Sequence, residues 1–432
     1  MSNLAIQGGK PVRTKAFPVW PVFGSEEEAA LLGVLRSGEW WKNACGDVAE
    51  PDRTSTAKAT HFARQFAEFH NAKFGIPCST GSAALEIALK AMGIGPGDEV
   101  IVPPYTFIAT ATAPLHVGAT PIFCDIDPDT YCMDPAKFAA AITPRTRAVI
   151  PVHFAGVAAD MEQISAISRA KDIAVLEDAA HAHGGTWRGE KLGSLGLAGT
   201  FSFQFSKNMT AGEGGVIVTN DAEIARLCES YVWGGRESGR PWYEHHRLGW
   251  NYRLSEFHAA VLGCQLERLE EQTQCRMKNG VYLASRLSKV PGVRPLRLPE
   301  YATTATFHIF VLRFDEQEFG LSRQAFLEAL EAEGVPCSSG YAFPLYKNPL
   351  FVNHDFYPSR SAGDSLGPIE NVDYGAFAGS CPAAETACQE AVWLEQRLLL
   401  GSQQDIDDVV RAVEKIWQFR SELQPKELLQ KS

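Results

Sequence analysis

The sequence predicts an α/β protein with a large domain built on a central, mostly parallel sheet, followed by a smaller α+β domain. Apolar strand-like runs alternate with helical stretches about every 25 residues between Glu99 and Lys171, which is typical of a parallel sheet covered by helices on both faces. The 432 residues suffice for one large domain and one smaller domain. No GxGxxG motif follows an early strand and no P-loop occurs, which argues against a dinucleotide-binding fold or a P-loop fold.

Composition narrows the class of protein further. A hydrophobic fraction of 45% is that of an ordinary soluble globular protein, and a net charge of -11 argues against a nucleic-acid-binding surface. The ten cysteines include no CxxC pair, so we expect reduced thiols in a cytoplasmic protein. The N-terminal stretch lacks the apolar core of a signal peptide, and no apolar run is long enough for a membrane span.

An N-terminal arm, residues 1–24, precedes the large domain and is rich in Pro and Gly. We expect this arm to lie on another surface, such as that of a partner subunit. We assign residues 25–289 to the large domain. Ser25 is the expected N-cap of its first helix, with Glu28 completing a capping box. The predicted helices cover Ser25–Ser37, Thr60–His70, a stretch that opens at Ser79–Leu85 and runs through Ala91, Asp134–Ile142, Asp160–Lys171, Asp221–Gly234 and Ser255–Lys289. The predicted strands cover Glu99–Pro103, Ala119–Asp125, Ala148–His153 and the run that ends at Asp178.

The second domain is assigned to residues 290–432, and the single long helix Ser255–Lys289 is expected to link the two domains. Strands are predicted at Phe307–Phe314, from Gly334 onward and at Glu390–Leu394, and helices at Ser322–Glu333 and Asp405–Ser421. This order gives an α+β arrangement.

One lysine lies between two strand-like runs. Phe201, Phe203 and Phe205 alternate with polar residues, as in a half-buried strand, and a second apolar run follows Lys207 after a glycine-rich turn. A buried ammonium needs a partner or a lowered pKa, and a desolvated amine is a good nucleophile for forming an imine with an aldehyde cofactor. The alternative is a lysine exposed on a tight surface hairpin.

An acid ends the strand upstream of this lysine. Glu177 and Asp178 stand at the carboxyl end of that strand, where open α/β sheets bind ligands, and alternation directs only one of them to the site. Pyridoxal phosphate needs a carboxylate against its ring nitrogen, and Asp178 is the candidate. A helix N-cap is the alternative role for this aspartate.

A second ligand feature is the turn before the helix that runs through Ala91. Gly81 and Ser82 leave backbone N–H groups free at a helix start, where the dipole favours an anion. A phosphate group is therefore the expected ligand of this turn.

The segments EDAAHAHG (Glu177–Gly184) and FSFQFSKNMTAGEGG (Phe201–Gly215) resemble the DegT/StrS family of fold-type I pyridoxal-phosphate aminotransferases. The resemblance extends from about Trp20 to about Trp417. It implies a fold-type I transferase that aminates a keto sugar or a cyclitol ketone. It also implies that the turn at Gly81 holds the cofactor phosphate.

Further site residues are implied by the same resemblance. Phe107 matches the aromatic residue that stacks on the cofactor ring, His181 the position that contacts the ring face or its phenolic oxygen, and Ser202 the serine that contacts the phosphate. Asn251, in GWNYRLSEFHAA, matches the asparagine that reaches the phosphate of the neighbouring subunit, so the resemblance implies a homodimer with shared active sites. Core packing for Phe107 and a plain turn for Asn251 are the alternatives.

A metal site is not expected. His181 and His183 form a pair, but no carboxylate or cysteine completes a ligand set at suitable spacing.

The resulting hypothesis is amino transfer from glutamate or glutamine, in which Lys207 first binds the cofactor and then moves the α-proton while Asp178 supports the ring. The acidic composition favours an uncharged cyclic ketone as acceptor. We assign no arginine to the donor carboxylate, and we expect the acceptor to contact loops at 42–56, 235–246 and 355–380.

Other functions stay open. A sugar dehydratase of the family is disfavoured because such enzymes replace the lysine with histidine. In SGEWW and in Val152–Met161 the chain resembles the branch of the family that forms an aminated aromatic product. The sequence is also compatible with a nucleotide-sugar aminotransferase. A non-catalytic regulator that keeps the fold is the alternative from another class.

Overall fold

The computed structural model describes residues 3–42, 57–356 and 372–423. The sequence predictions for 43–56, for 357–371 and for the C-terminal tail lie outside these ranges. Within them, no helix combines the length and the apolar character needed to cross a membrane.

The described residues form two main sheets with helices packed against them. The strands are β1 Phe74–Cys78, β2 Glu99–Val102, β3 Thr120–Phe123, β4 Thr146–Val149, β5 Ala174–Asp178, β6 Thr186–Trp187, β7 Glu190–Lys191, β8 Ala198–Ser202, β9 Gly215–Thr219, β10 Val293–Pro295, β11 Ile309–Phe314, β12 Cys337–Ser338 and β13 Ala391–Glu395. The helices are α1 Ser25–Ser37, α2 Lys58–Phe69, α3 Gly81–Ala91, α4 Ala109–His116, α5 Pro135–Ala141, α6 Met161–Lys171, α7 Ala222–Val232, α8 Glu256–Glu267, α9 Leu269–Leu287, α10 Glu316–Phe319, α11 Arg323–Ala332, α12 Pro349–Val352, α13 Pro382–Glu390 and α14 Gln403–Phe419.

The larger sheet has the strand order β1-β9-β8-β5-β4-β2-β3, and β9 runs opposite to the other strands. The pairs from β8 through β5, β4 and β2 to β3 are parallel, so the predicted mostly parallel sheet is confirmed. Strands β2, β8 and β9 are buried along their whole length, which explains why they read as continuous apolar runs.

The strand before the lysine differs from the prediction. It ends at Ser202 and is buried on both faces, because helices cover both sides of the sheet. Phe205 lies beyond its end and is 54% exposed. The expected half-buried strand through Phe205 is therefore wrong.

Helix starts follow the local capping signals. Asp134, Asp160 and Asp221 each accept hydrogen bonds from backbone N–H groups at the start of α5, α6 and α7. At α1 the cap is one residue earlier than expected: Gly24 is the N-cap, and its N–H donates to the Glu27 carboxylate at 2.8 Å. The predicted Ser25–Glu28 box is therefore wrong by one position.

The helix predicted from Ser255 to Lys289 is two helices, α8 and α9, which meet at Arg268. The guanidinium of Arg268 donates to the Val22 carbonyl at 3.0 Å and pairs with Glu27 at 2.8 Å. These contacts hold the break against the start of α1, which a helical pattern in the sequence does not show.

The second sheet is antiparallel, with the order β10-β11-β13-β12, and it shares a core with α9, α11 and α14. Leu4 and Phe17 of the N-terminal arm are buried in this core. Arg13 pairs with Asp405 at 2.7 Å and with Asp408 at 2.8 Å on α14. The arm thus lies on the C-terminal part of its own chain.

Candidate active site

A cavity of about 1080 Å³ lies where the carboxyl ends of the parallel strands face the second sheet and the N-terminal arm. This is the edge at which open α/β sheets bind ligands. Gly81, Ser82, Phe107, Asp178, His181, Ser202 and Lys207 all line this cavity, so residues far apart in the chain meet as the sequence predicted. The cavity is also lined by residues for which the sequence predicted no site role, among them Trp20, Thr110, His308 and Arg397.

Lys207 lies in the loop between β8 and β9, and its backbone N–H donates to the Gln204 carbonyl at 2.9 Å. Its side chain is half-buried and lines the cavity, which favours the reactive lysine over a lysine on a surface hairpin. Burial lowers the pKa of Lys207 to about 8, and the charge of Asp178 opposes this shift. A substantial fraction of uncharged amine is therefore present near neutral pH.

Asp178 ends β5 and faces the cavity. Its Oδ2 accepts from the Thr110 hydroxyl at 2.8 Å, and its Oδ1 accepts from the Ala180 N–H at 3.2 Å. Burial raises the pKa of Asp178, while these two bonds and the charge of Lys207 oppose the rise. A turn rather than a helix follows β5, so the N-cap alternative for Asp178 is wrong.

Glu177 points away from the cavity, as strand alternation predicted. It accepts from His153 Nε2 at 2.9 Å and from the N–H groups of Gly193, Leu195 and Gly196. Its carboxylate thus ties the loop before β8 to the end of β5 and leaves Asp178 as the acid of the site.

An anion cradle is formed where α3 begins. Thr80 caps the helix by accepting from the Ala83 N–H at 3.0 Å, while the N–H groups of Gly81 and Ser82 have no partner within the helix. A Cβ on Gly81 would lie 2.6 Å from Ser202 Cβ, so only glycine allows this close approach of α3 to β8. Two free donors, a helix N-terminus and a serine hydroxyl therefore converge at one end of the cavity.

His181 and His308 stack at the cavity wall with ring centroids 4.3 Å apart. Both are buried, with 5% and 6% of their surface exposed, and burial together with the charge of Lys207 lowers the pKa of each well below its usual value. Phe107 lies at the rim, 56% exposed. Its stacking role stays a prediction.

Asn251 is not brought to this cavity. Its backbone forms an isolated bridge with Trp233, and its side chain is exposed. Its predicted role in the site of a neighbouring subunit stays a prediction. The loop at 235–246 also contributes nothing to the cavity lining, whereas Tyr341, which lies shortly after β12, does line it.

His183 belongs to the core. It is fully buried, its Nε2 lies 2.9 Å from the Ser202 carbonyl oxygen, and it packs on Phe201 and Phe203. In the part of the chain that the structure describes, no group of three or more potential ligands is placed to hold a metal ion.

Comparison with known proteins decides the family. The model of the DegT/DnrJ/EryC1/StrS aminotransferase family matches residues 39–414. The chain belongs to this family. The predicted fold-type I transferase and the predicted aminotransferase activity are thereby confirmed, and pyridoxal phosphate is the cofactor of this family.

Two curated relatives match this chain over nearly its whole length. A protein of Streptoalloteichus tenebrarius, provisionally named L-glutamine:3-amino-2,3-dideoxy-scyllo-inosose aminotransferase, is 40% identical over 96% of this chain and 98% of its own. The L-glutamine:2-deoxy-scyllo-inosose aminotransferase of Streptomyces paromomycinus is 38% identical over 96% and 97%.

Solved structures show the same fold. The crystal structure of 3-amino-5-hydroxybenzoic acid synthase has a TM-score of 0.82 at 33% identity, over 95% of this chain and all of its own. An aminotransferase from Psychrobacter cryohalolentis has a TM-score of 0.80 at 28% identity, over 93% and 99%.

The cavity of this family member fits pyridoxal phosphate by the chemistry of its donors. A carboxylate suits the ring nitrogen, a primary amine suits the aldehyde, and the cradle at Gly81, Ser82 and Ser202 suits the phosphate. Thr110 and His308 were missed by sequence reasoning. Thr110 lies in the first turn of α4, three residues after the aromatic candidate Phe107, but nothing local indicates that its hydroxyl reaches Asp178.

Proposed function

We propose that this aminotransferase moves the amino group of L-glutamine to the ketone of a deoxy-scyllo-inosose. The observation that carries the proposal is the similarity, 40% and 38% over 96% of the chain, to two relatives whose names give glutamine as donor and a scyllo-inosose as acceptor. The cavity supports it, since it holds the amine, carboxylate and anion cradle of one pyridoxal-phosphate site.

When bound, pyridoxal phosphate supplies an aldehyde that condenses with amines and a ring that stabilises negative charge on the neighbouring carbon. Lys207 Nζ is the protein's amine for this condensation. Once displaced by the amino donor, the same Nζ takes the proton from the donor α-carbon and returns a proton during the second half of the reaction. Its pKa of about 8 suits both roles.

Asp178 keeps the ring nitrogen protonated. Its carboxylate is held by Thr110 and by the Ala180 N–H, so it is oriented before the ring arrives. Gly81, Ser82 and Ser202 would hold the phosphate at the end of the cavity where α3 begins.

Arg397 is our candidate for the α-carboxylate of glutamine. Among the described residues it is the single arginine that lines the cavity, and its side chain is 28% exposed. It donates to the Pro18 carbonyl at 3.3 Å and pairs with the carboxylate of Glu395, which also lines the cavity. When glutamine binds, its α-carboxylate would replace Glu395 as the partner of Arg397. The same cavity would then accept a charged donor in one half-reaction and a neutral ketone in the other.

A homodimer with shared sites is also proposed. Asn251, which the family resemblance assigns to a partner's phosphate, is exposed here and so is accessible to a second copy of the chain. Measuring the mass of the protein in solution tests the dimer. Comparing the cofactor affinity of Asn251→Ala with that of the wild type tests the role of Asn251.

The experiment for the function follows the two halves of the reaction separately. Purified protein with its cofactor is mixed with L-glutamine or L-glutamate, and the loss of visible absorbance identifies the donor. Borohydride reduction followed by peptide mapping locates the adduct, which we expect on Lys207. Adding 2-deoxy-scyllo-inosose or its 3-amino derivative should then restore the absorbance. Absence of restoration by either ketone would reject the proposed acceptor class.

Formation of an aminated aromatic is the second candidate, because the structure of 3-amino-5-hydroxybenzoic acid synthase superimposes on 95% of the chain. Product analysis separates the two. An aminocyclitol keeps its ring hydroxyls, whereas the aromatic product absorbs in the ultraviolet and has lost water.

A further inference from the structure

The groups around His181 and His308 determine which ring nitrogen of each histidine carries the hydrogen. The Ala155 N–H donates to His181 Nδ1 at 3.3 Å, so the uncharged His181 ring carries its hydrogen on Nε2. The Asn208 amide nitrogen donates to the Thr306 carbonyl at 2.8 Å, which leaves the amide oxygen to face His308 Nδ1 at 3.3 Å. His308 Nδ1 therefore carries the hydrogen, and its Nε2 is a bare acceptor.

The two Nε2 atoms have access to the cavity. Both rings line it, and neither Nε2 belongs to the buried side-chain atoms that lack a partner in the described residues. One ring thus offers a donor and the other an acceptor, 4.3 Å apart at their centroids. Burial keeps both rings uncharged at neutral pH, and Lys207 is close enough for its charge to contribute.

The backbone just before His308 holds this residue at the cavity wall. The preceding residue, Phe307, has a φ of 47°, a value that bulky residues rarely adopt. Thr306 is anchored on the other side, since its N–H donates to the Gly156 carbonyl at 3.0 Å and its hydroxyl donates to the His181 carbonyl at 2.5 Å. The strained turn brings His308, which lies just before β11, from the second sheet to the cofactor half of the cavity.

A bare imidazole nitrogen repels a carboxylate and accepts from a hydroxyl, so His308 suits the neutral acceptor and not glutamine. A 2-deoxy-scyllo-inosose has a methylene on one side of its carbonyl and a hydroxyl-bearing carbon on the other. Its carbonyl must approach Lys207, which lines the same cavity as the histidine pair and is close enough for its charge to lower the pKa of both rings.

We infer that His308 Nε2 accepts a hydrogen bond from the acceptor hydroxyl next to the carbonyl, and that His308 is a specificity-determining residue for hydroxylated ring ketones. This inference rests on the proposed function, because that function supplies the ketone.

The test compares the two half-reactions in the holoenzyme. His308→Phe keeps an aromatic ring on His181 but removes the acceptor, and we expect it to lower kcat/KM for 2-deoxy-scyllo-inosose by about 10- to 100-fold. The rate of the glutamine half-reaction should stay within about threefold. His308→Gln keeps an acceptor oxygen and should recover part of the ketone kcat/KM.

Two further measurements follow, and the first includes a comparison on the wild type alone, which does not depend on the folding of a variant. Wild-type enzyme should prefer 2-deoxy-scyllo-inosose by about 10-fold or more over the analogue that lacks the hydroxyl beside the carbonyl, and His308→Phe should abolish this preference. By calorimetry, unreactive scyllo-inositol should bind the wild type more tightly than His308→Phe.

Equal losses in both half-reactions, equal rates of the wild type with both ketones, or equal binding of scyllo-inositol would overturn the assignment. A wild type that does not aminate 2-deoxy-scyllo-inosose would instead reject the proposed function, and that result is visible without any variant.

Discussion

Replacing Thr110 with valine removes the hydroxyl that donates to Asp178 while nearly keeping the shape of the side chain. The bond is 2.8 Å long and lies in a buried setting, since Thr110 is 1% and Asp178 is 6% exposed. A hydrogen bond to a charged group contributes about 1.5–3 kcal/mol. Its loss disfavours the ionised carboxyl, whose pKa burial already raises.

The consequence is a change in how cofactor binding depends on pH. The ring nitrogen needs the ionised Asp178, so affinity falls as pH drops through the pKa of this carboxyl in the cofactor-free protein. Thr110→Val raises that pKa further, and the fall should begin about one pH unit or more higher than in the wild type. Titrating the cofactor-free protein with pyridoxal phosphate over a pH series that begins below the ordinary pKa of an aspartate measures the midpoint.

Thr106→Val is the matched control. Its hydroxyl is buried and lies 3.3 Å from the Thr110 hydroxyl, but it does not contact Asp178. We expect the control to leave the midpoint nearly unchanged. The reasoning is refuted if Thr110→Val keeps the wild-type midpoint, or if both variants shift it equally.

Three other outcomes are expected. The rate at which Lys207 forms a borohydride-trapped adduct with the cofactor should rise with pH and level off near its pKa of about 8, because the uncharged amine reacts; a plateau only above pH 10 would contradict this. Gly81→Ala places a methyl group 2.6 Å from Ser202 Cβ, so calorimetry should show a loss of about 1–3 kcal/mol in stability together with weaker cofactor binding. Arg13→Met removes the buried guanidinium that pairs with Asp405 and Asp408, while Ser402 still donates to Asp405 and Arg411 still pairs with Asp408, so urea unfolding at pH 7 should show a loss of about 1.5–3 kcal/mol. That loss should shrink as these carboxyls, whose pKa values are lowered in the folded protein, become protonated in acid.

Short-range signals in the sequence were enough for much of the site. Lys207 and Asp178 each follow a strand on the same sheet, and parallel strands bring their carboxyl ends to one edge, so the pair was predictable without coordinates. The anion cradle at Gly81 was predictable for the same kind of reason, since small residues at a helix start are a local signal.

Other features depend on contacts between distant segments. His308 is about 100 residues from its partner Asn208, and Thr110 is 68 residues from Asp178. No local periodicity encodes such pairs. The break at Arg268 likewise follows from an ion pair with Glu27 on α1, whereas the helical pattern on either side continues through it.

The sequence by itself determined the α/β class, the lysine, the aspartate and the family, because each rests on residue types within one or two elements. The tertiary structure decided which groups hold that aspartate, which ring nitrogen of each histidine carries the hydrogen and where the arm lies. These depend on hydrogen-bond partners and close approaches, which exist only once the two sheets and the arm enclose the cavity.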